Sequence, residues 1–333
     1  MTNKEKADLF CREWQEGKST FTITTSGSTG TPKTIELRRD QMIASAKKTI
    51  KALDLREGMT SLICLDVNFI AGKMMIVRSL VAGMNMIVVE PIANPFSNLP
   101  DAKIDFIALV PYQLSAILSS TLRGKLHDVG KVILGGAPIP FEASWDIEEY
   151  NTAIYETFGM TETLSHIALR QLNGHHAKDY FEVLDGIDIT VDDRRCLVIK
   201  ADYLDETVVT NDVVELIGKK QFRWLGRWDN VINTGGVKVM PERIEKEVDM
   251  LMLDNRHFVA GVPHEQLGQQ VVLVFEGMLT SDEEKKVMEQ LKNKLSKYEI
   301  PKQVLYCSEF VSTSTQKVNR KESIKNALPR PSL

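Results

Sequence analysis

The chain has 333 residues, of which 43% are hydrophobic and 26% charged, with a formal net charge of −4. This composition is typical of a soluble globular protein, and the length allows two domains, the second smaller. The weak negative charge gives no general attraction to nucleic acid or to an anionic membrane.

The apolar runs, such as residues 84–89, are too short to span a bilayer, and the N-terminus lacks the apolar core of a signal peptide. The four cysteines are scattered and form no Cys-x-x-Cys pair, which favours a reducing compartment and argues against a zinc site or disulfides. We therefore expect a cytoplasmic protein without membrane insertion or nucleic-acid binding. The sequence leaves a homodimer open.

The first two-thirds of the sequence alternates short apolar runs with segments of helical periodicity. The predicted strands are 61–65, 86–89, 105–110, 132–134 and 152–155. The predicted helices are 40–53, 69–81, 111–120 and 141–149. This alternation predicts an α/β domain whose sheet is largely parallel.

The sequence pattern then changes to closely spaced strands, which predict a small antiparallel β unit that closes the large domain. These strands are 187–191, 196–199, 207–209, 213–216 and 222–225. The segment 226–230 interrupts the pattern, so we place the domain boundary there, with a large domain of residues 1–226 and a small domain of residues 227–333 joined by a hinge.

The small domain is predicted to be an α+β module. Pro241 opens a helix at its first turn, with Ile244, Val248 and Leu251 on one face. A capping box at 281–284 begins the next helix, which runs to about residue 297. Strands are predicted at 258–261, 271–274 and 303–307.

A loop rich in hydroxyls and glycines follows the strand-like segment 21–23. It reads Thr-Thr-Ser-Gly-Ser-Thr-Gly-Thr-Pro-Lys from Thr24 to Lys33. Glycines let backbone N–H groups turn toward an anion, hydroxyls donate further hydrogen bonds, and the lysine adds charge. Composition alone also fits an ordinary surface loop. We interpret the segment as a phosphate-binding loop.

The P-loop is a rival interpretation, because Gly27 through Lys33 matches its spacing. Pro32 stands where that motif has its second glycine, and proline removes an N–H and fixes φ. No convincing Walker B strand ending in aspartate follows. The P-loop interpretation is therefore rejected.

The loop instead resembles, almost residue for residue, the phosphate signature of the adenylate-forming (ANL) superfamily of acyl-CoA synthetases, amino-acid adenylation domains and luciferases. The resemblance implies the ANL-type fold with a shortened N-terminal part, and binding of the β- and γ-phosphates of ATP by this loop. The implied ATP-binding residues here are Thr25, Ser26, Gly27, Ser28, Thr29, Gly30 and Lys33.

Two companion motifs follow in the family's order. Gly135-Gly136-Ala137 is similar to the adenine-side loop. The segment 155–163 resembles the family's Tyr-Gly-x-Thr-Glu motif. The resemblance implies that Phe158 packs on adenine, that Thr161 contacts the α-phosphate in catalysis and that Glu162 helps to hold Mg²⁺, a hard cation that prefers carboxylate oxygen.

The remaining motifs span the predicted boundary. The segment 210–212 stands where the family carries Thr-Gly-Asp, which implies that Asp212 binds the ribose hydroxyls. The segment 226–242 resembles the family's hinge region. It implies a ribose or phosphate contact for Arg227 and a pivot at Asp229, and it places Gly235 and Gly236 along the CoA channel.

A looser match near the C-terminus supplies the catalytic lysine that the family uses. By resemblance, Lys317 stabilises charge between the acid and the α-phosphate of ATP. The resemblance thus implies an acid–thiol ligase with ATP, Mg²⁺ and CoA. The small domain would close for adenylation and then rotate about Asp229 for thioester formation.

The acid itself is less clearly encoded. Phe69 stands in the family's acyl-pocket motif, followed by Lys73 and Arg78 on an otherwise apolar helix. Cations in such a setting suggest a second carboxylate on the substrate, although either side chain could instead extend to solvent. The chain is most similar to the bacterial o-succinylbenzoate–CoA ligases of menaquinone biosynthesis.

Three alternatives remain open at this point. A general fatty or aryl acyl-CoA synthetase would need an uncharged tunnel for its acyl group. An amino-acid adenylation domain would need an acidic side chain to bind the amine of its substrate, and only Asp66 is a candidate for that role. A non-catalytic nucleotide-binding module would bind ATP without releasing pyrophosphate.

Overall fold

The computed structural model describes residues 1–25, 33–99, 102–136, 146–251, 253–312 and 318–329. The α-helices in these ranges are α1 Asn3–Gln15, α2 Arg39–Ala52, α3 Ile70–Ala82, α4 Pro111–Leu118, α5 Pro241–Asp249, α6 Ser281–Lys294 and α7 Arg320–Lys325. None of the helices in these ranges is long and apolar enough to cross a membrane.

The strands up to the middle of the chain are β1 Thr20–Thr25, β2 Lys33–Arg38, β3 Thr60–Ile63, β4 Asn85–Val88, β5 Phe106–Leu109, β6 Lys131–Leu134, β7 Ala153–Gly159, β8 His166–Gln171 and β9 Phe181–Val183. Those that follow are β10 Ile187–Val191, β11 Cys196–Ala201, β12 Val208–Gly218, β13 Gln221–Arg227, β14 Ile232–Thr234, β15 Val237–Val239, β16 His257–His264, β17 Gly268–Glu276, β18 Gln303–Cys307 and β19 Leu328–Pro329.

The chain divides into two compact units. The first comprises Met1–Thr190, Val198–Val209 and Leu216–Arg223, and the second comprises Val191–Leu197, Thr210–Glu215 and Trp224–Leu333. The sequence-based division into residues 1–226 and 227–333 stays a prediction.

An eleven-stranded sheet has the strand order β10-β11-β12-β13-β9-β8-β7-β6-β5-β3-β4. The strands from β4 to β7 are parallel to their neighbours, whereas β8 runs antiparallel to β7. Along the chain, β4 follows β3 on one side and β5 returns on the other, so the strand order reverses at β3. In open α/β sheets, ligands bind outside the carboxyl ends of strands near such a reversal.

The parallel strands bury apolar side chains on both faces, which is why they read as continuous apolar runs. Leu62, Ile107, Val132 and Ile154 belong to one core cluster and are fully buried. Helix α3 is buried along most of its length and ends at Gly83, whose φ of 68° is the left-handed conformation of a helix C-cap.

The second unit contains a sheet of order β15-β14-β17-β18-β19, with β16 paired to β17. Its core includes Ile244 and Val248 of α5, Phe275 of β17 and Leu291 of α6. Pro241 begins α5, as predicted.

Three predictions about elements need correction. The predicted strands 207–209 and 213–216 are one continuous strand, β12, because residues 210–212 stay extended and do not turn. The capping box of α6 is formed by Thr280 and Glu283, one residue earlier than predicted. In the predicted helix 141–149, residues 147–149 form a single 3₁₀ turn and 141–145 lie outside the described residues.

Candidate functional site

The loop after β6 approaches β7 so closely that it needs glycine. A Cβ atom added to Gly135 would lie under 3.0 Å from Thr157 Oγ1. That hydroxyl donates a hydrogen bond to the Leu134 carbonyl at 2.9 Å. Gly136 has φ of 91°, a conformation that other residues rarely adopt. The backbone of the predicted adenine-side loop therefore lies at the carboxyl end of β6, whereas Ala137 lies outside the described residues.

A second close approach shapes the turn that carries Thr161 and Glu162. A Cβ atom on Gly159 would lie under 3.0 Å from the Ser165 carbonyl and from His166 Cα. The chain leaves β7 at Gly159, makes a 3₁₀ turn at Thr161–Thr163 and re-enters the sheet at His166. The turn therefore projects from the sheet edge where β7 and β8 meet.

The hydroxyl of Thr163, which is fully buried, holds this turn. It accepts a hydrogen bond from the Met160 N–H at 3.0 Å and lies 2.7 Å from the Ser165 carbonyl. The Tyr203 hydroxyl donates to the Thr163 carbonyl at 3.1 Å. Leu164, which is buried, adopts φ of 61°, a strained conformation for a non-glycine residue. Strain held by a hydrogen-bond network is a common feature of functional turns.

The ring of Phe158 belongs to an aromatic cluster. Its centroid lies 5.7 Å from that of Phe181 and 5.1 Å from that of Phe222, both in edge-type geometry. Arg170 lies over the Phe181 ring and pairs with Glu156, whose pKa is raised by burial. The cluster holds the half-buried Phe158 ring in a defined orientation next to the turn.

Glu162 is exposed at this turn. Among the described residues its carboxylate makes no hydrogen bond or ion pair, and it is an oxygen ligand of the kind that Mg²⁺ prefers. The described residues contain no cluster of three His, Cys, Asp or Glu side chains that could hold a metal ion by themselves. Glu162 therefore suits a metal that takes most of its ligands from phosphate and water.

The second unit brings together Asp212, Arg227 and Asp229. Arg227 Nη1 lies 3.3 Å from Asp212 Oδ2, and its Nη2 donates to Asp229 Oδ2 at 2.9 Å. Trp224 Nε1 donates to Asp212 Oδ1 at 2.9 Å. Asn211 Nδ2 also lies 3.2 Å from Asp229 Oδ1. The three predicted residues thus form one hydrogen-bonded network.

Sequence reasoning missed two members of this network. Trp224 anchors Asp212, and Arg194 donates to Asn211 Oδ1 at 2.9 Å and lies over the Trp228 ring. No motif marks either residue, although Trp224 shares the strand that leads into the predicted hinge. The side-chain bonds of Asn211 to Arg194 and Asp229 are consistent with its extended backbone within β12.

Gly235 and Gly236 form the tight turn between β14 and β15. Their φ values of 58° and 80° match a two-residue type I′ hairpin turn, which favours glycine. Both are exposed. Their place along a CoA channel stays a prediction.

Ser26, Gly27, Ser28, Thr29, Gly30 and Lys317 lie outside the described residues. The backbones of Thr25 and Lys33 pair with each other at the end of the β1–β2 hairpin, so the predicted phosphate loop connects these two strands.

The structure does not bring the three predicted acid-binding residues together. Phe69 is exposed at the start of α3. Lys73 lines a pocket of about 210 Å³ with Phe10, Phe21 and other residues. Arg78 is buried and contacts Ser165 and His166, at the start of β8. Five helical residues correspond to about 140° of rotation, so Lys73 and Arg78 point in different directions.

The ammonium of Lys73 donates to the Val67 carbonyl at 2.8 Å and lies 5.6 Å from the centroid of the Phe10 ring. Within the described ranges it makes no ion pair, whereas Lys6 and Lys18 of the same pocket pair with Asp66 and Glu13. Burial lowers the pKa of Lys73. Of the three lysines that line this pocket, Lys73 is therefore the one without a described carboxylate partner.

Comparison with known proteins supports the family suggested by the motifs. The sequence model of the AMP-binding enzyme family matches residues 3–194. A solved acyl-CoA synthetase (AMP-forming)/AMP-acid ligase II-like protein from Dyadobacter fermentans DSM 18053 is 40% identical, covers 96% of this chain and 93% of its own, and has a TM-score of 0.66.

A 2-succinylbenzoate–CoA ligase of Bacillus mycoides (strain KBAB4) is 25% identical over 95% of this chain and 72% of its own length. The o-succinylbenzoate CoA synthetase of Bacillus subtilis, solved with its acyl-adenylate intermediate, is 19% identical over 93% of this chain and 70% of its own. Its TM-score of 0.77 shows a shared fold.

The chain belongs to the family of AMP-binding enzymes, which form adenylates. By class it is an AMP-forming acid–CoA ligase. The predicted family, fold class and enzyme class are confirmed.

Proposed function

We propose that this protein uses ATP to convert o-succinylbenzoate into its acyl-adenylate and then transfers the acyl group to CoA. The observation that carries the proposal is the gathering of the Gly135-Gly136 loop, Phe158 and the Thr161–Thr163 turn, which ends at the strained Leu164, at the carboxyl ends of adjoining strands. A place in menaquinone biosynthesis is part of this proposal.

The first step is attack by the substrate carboxylate on the α-phosphorus of ATP, with release of pyrophosphate. The residues 25–33 hold the phosphates that leave, and Phe158 and Gly135-Gly136 hold adenine. Thr161 donates to the α-phosphate. Glu162 and the phosphates would hold Mg²⁺, which supplies charge neutralisation during phosphoryl transfer. Lys317 stabilises the charge that develops between the two reactants.

In the second step the CoA thiolate attacks the acyl carbon, and AMP leaves with the bonding electrons. Asp212 and Arg227 hold the ribose of the departing nucleotide. Asp229 is the pivot that exchanges Lys317 for the Gly235-Gly236 turn at the reaction centre. The domain motion thereby separates the two half-reactions.

The choice of a dicarboxylic aromatic acid rests on the Lys73 pocket. Its lining includes Lys73, which makes no ion pair with a described residue, and the aromatic rings of Phe10 and Phe21. The exposed Phe69 begins the same helix as Lys73. An aromatic acid with a second carboxylate matches this combination of surfaces. The names of the curated relatives point to the same acid.

The test is pyrophosphate release by the purified protein with MgATP across a panel of carboxylic acids, with and without CoA. We expect release with o-succinylbenzoate, turnover that depends on CoA, and loss of both with Lys317→Ala. Release with fatty or aryl monoacids instead would replace the proposed substrate but keep the class. ATP binding without any release would favour the non-catalytic module.

The contribution of Lys73 has a separate test. Lys73→Met should raise KM for o-succinylbenzoate by about 10- to 100-fold, because a charge-assisted hydrogen bond is lost, and it should leave KM for ATP unchanged. Lys18→Met is the matched control, since Lys18 lines the same pocket but is paired with Glu13. Equal effects of the two variants would exclude a specific role for Lys73.

A further inference from the structure

Arg78 is a buried cation without a described counter-ion. Only 2% of its surface is exposed. Its Nη2 donates to Ser165 Oγ at 2.5 Å and lies 3.5 Å from His166 Nδ1, and its Nε has no hydrogen-bond partner among the described residues. In the described part of the chain, no carboxylate forms an ion pair with it. Burying an unpaired charge is costly, so simple packing would favour an apolar residue at this position.

The described side chains that contact the Arg78 guanidinium carry no opposite charge. Burial, and then the charge of Arg78, hold the pKa of His166 well below its ordinary value, so that ring is neutral. Its Nε2 lies 2.9 Å from the Thr49 hydroxyl, which leaves Nδ1 to face the guanidinium as an acceptor. Burial lowers the pKa of Arg78 only to about 10, so it remains charged at neutral pH.

The bond from Arg78 leads directly to the Thr161–Thr163 turn. Ser165, its acceptor, presents its carbonyl 2.7 Å from the Thr163 hydroxyl. The strained Leu164 lies between these two residues. The turn begins after Gly159 and ends at Ser165, and the guanidinium of Arg78 on α3 therefore holds its C-terminal end.

We propose that Arg78 is a positioning residue for adenylation, and not a ligand of the acid. It holds Ser165 and thereby the Thr161–Thr163 turn, and its buried positive charge favours the anionic triphosphate that this turn binds. The inference rests on the proposed function for the identity of the anion. In a low-dielectric interior, a fixed charge acts on a nearby anion more strongly than it would in water.

The test compares Arg78→Met with Arg78→Lys, using wild type and Met75→Ala as references. Met75 is buried on the same helix, so its truncation reports the effect of lost packing alone. We expect Arg78→Met to lower kcat for pyrophosphate release by about tenfold or more and to raise KM for ATP, with KM for the acid unchanged. Arg78→Lys should recover part of kcat, because the charge remains while the fork of donors is lost.

Two further readouts do not depend on turnover. MgATP should raise the Tm of wild type and of Met75→Ala more than that of Arg78→Met. It should also slow amide hydrogen exchange at residues 160–166 in wild type and in Met75→Ala, but not in Arg78→Met. Ser165→Ala, which leaves Arg78 in place, should reproduce the kinetic defect if Arg78→Met does not fold.

A rise in KM for dicarboxylic acids alone would overturn the proposal and make Arg78 an acid ligand. Kinetics and ATP response equal to those of Met75→Ala would reduce Arg78 to a packing residue. If wild type releases no pyrophosphate with any acid, the proposed function fails, but the MgATP-dependent Tm and exchange still test the link between Arg78 and the turn.

Discussion

Gly159 shows how a single missing atom permits the site. The chain turns back on itself so tightly after β7 that a methyl group at this position would meet both the Ser165 carbonyl and His166 Cα. The motif placed Gly159 beside Thr161 and Glu162, but its reason for being glycine is a contact with β8, a strand that was not predicted.

We therefore expect Gly159→Ala to destabilise the protein by about 1–3 kcal/mol, because overpacking forces backbone to move. It should also lower the rate of pyrophosphate release by displacing the turn. Chemical denaturation and the release assay measure the two effects. Gly124→Ala is the matched control, since a Cβ atom there meets no atom within 4 Å. Equal stability of the two variants would contradict the steric argument.

His166 gives the folded protein a pH dependence. Its folded pKa is depressed, so below the unfolded pKa of about 6.5 the unfolded state takes up a proton that the native state does not. Stability is therefore fully present above about pH 6.5 and is lost as pH falls toward the folded pKa.

The predicted slope for this group is at most about 1.4 kcal/mol per pH unit, measured by denaturation between pH 7 and 5. His166→Asn should remove this part of the slope. The exposed His175→Asn should not. A wild-type slope that persists in His166→Asn would assign the pH dependence to other groups.

At the scale of elements, apolar runs located the parallel strands β3 to β6 and the helices α2 to α4 within a few residues. Local patterns did not locate the element ends that depend on a cap or on a partner strand. Residues 210–212 lie between two predicted strands, 207–209 and 213–216, yet the pairing of β12 and the bonds of Asn211 to Arg194 and Asp229 keep them extended.

The start of α6 is a second such end, and it can be tested. Thr280 Oγ1 accepts from the Glu283 N–H at 3.2 Å, and the Glu283 carboxylate accepts from the Thr280 N–H at 2.7 Å. Thr280→Ala should cost about 1 kcal/mol in the free energy of unfolding, because an N-cap is lost. Thr280→Ser keeps the hydroxyl and should stay near wild type. If both variants unfold alike, the cap is elsewhere.

At the scale of the whole chain, distant segments are joined by groups that no local pattern connects. Arg320 of α7 pairs with Glu245 of α5 through two hydrogen-bonded contacts of 2.7 Å and 2.9 Å. Glu245 also accepts from the Val259 N–H at 2.7 Å, and burial raises its pKa. This pair fixes the C-terminal segment to the core of the second unit.

Arg320→Met should destabilise the protein by about 2–3 kcal/mol, because it leaves a largely buried carboxylate without its partner. Denaturant unfolding is the measurement. Arg256→Met removes the exposed pair with Glu276 and should cost less than about 1 kcal/mol. Losses of similar size in both variants would mean that burial does not strengthen the Glu245 pair.

The sequence by itself determined the family, the α/β class, and the order of the motifs. Backbone positions that require glycine and the residues that bind phosphate occur in short contiguous segments, so a local motif can reveal them. The grouping of Asp212, Arg227 and Asp229 is a matter of tertiary structure. The separation of Lys73 from Arg78 is also decided by tertiary structure, although both are cations on one apolar helix. Packing of α1 against α3 places Lys73 in a pocket, whereas packing of β8 against α3 places Arg78 in a buried hydrogen-bond network. Long-range contacts decide such roles because burial and hydrogen-bond partners come from segments far apart in the chain.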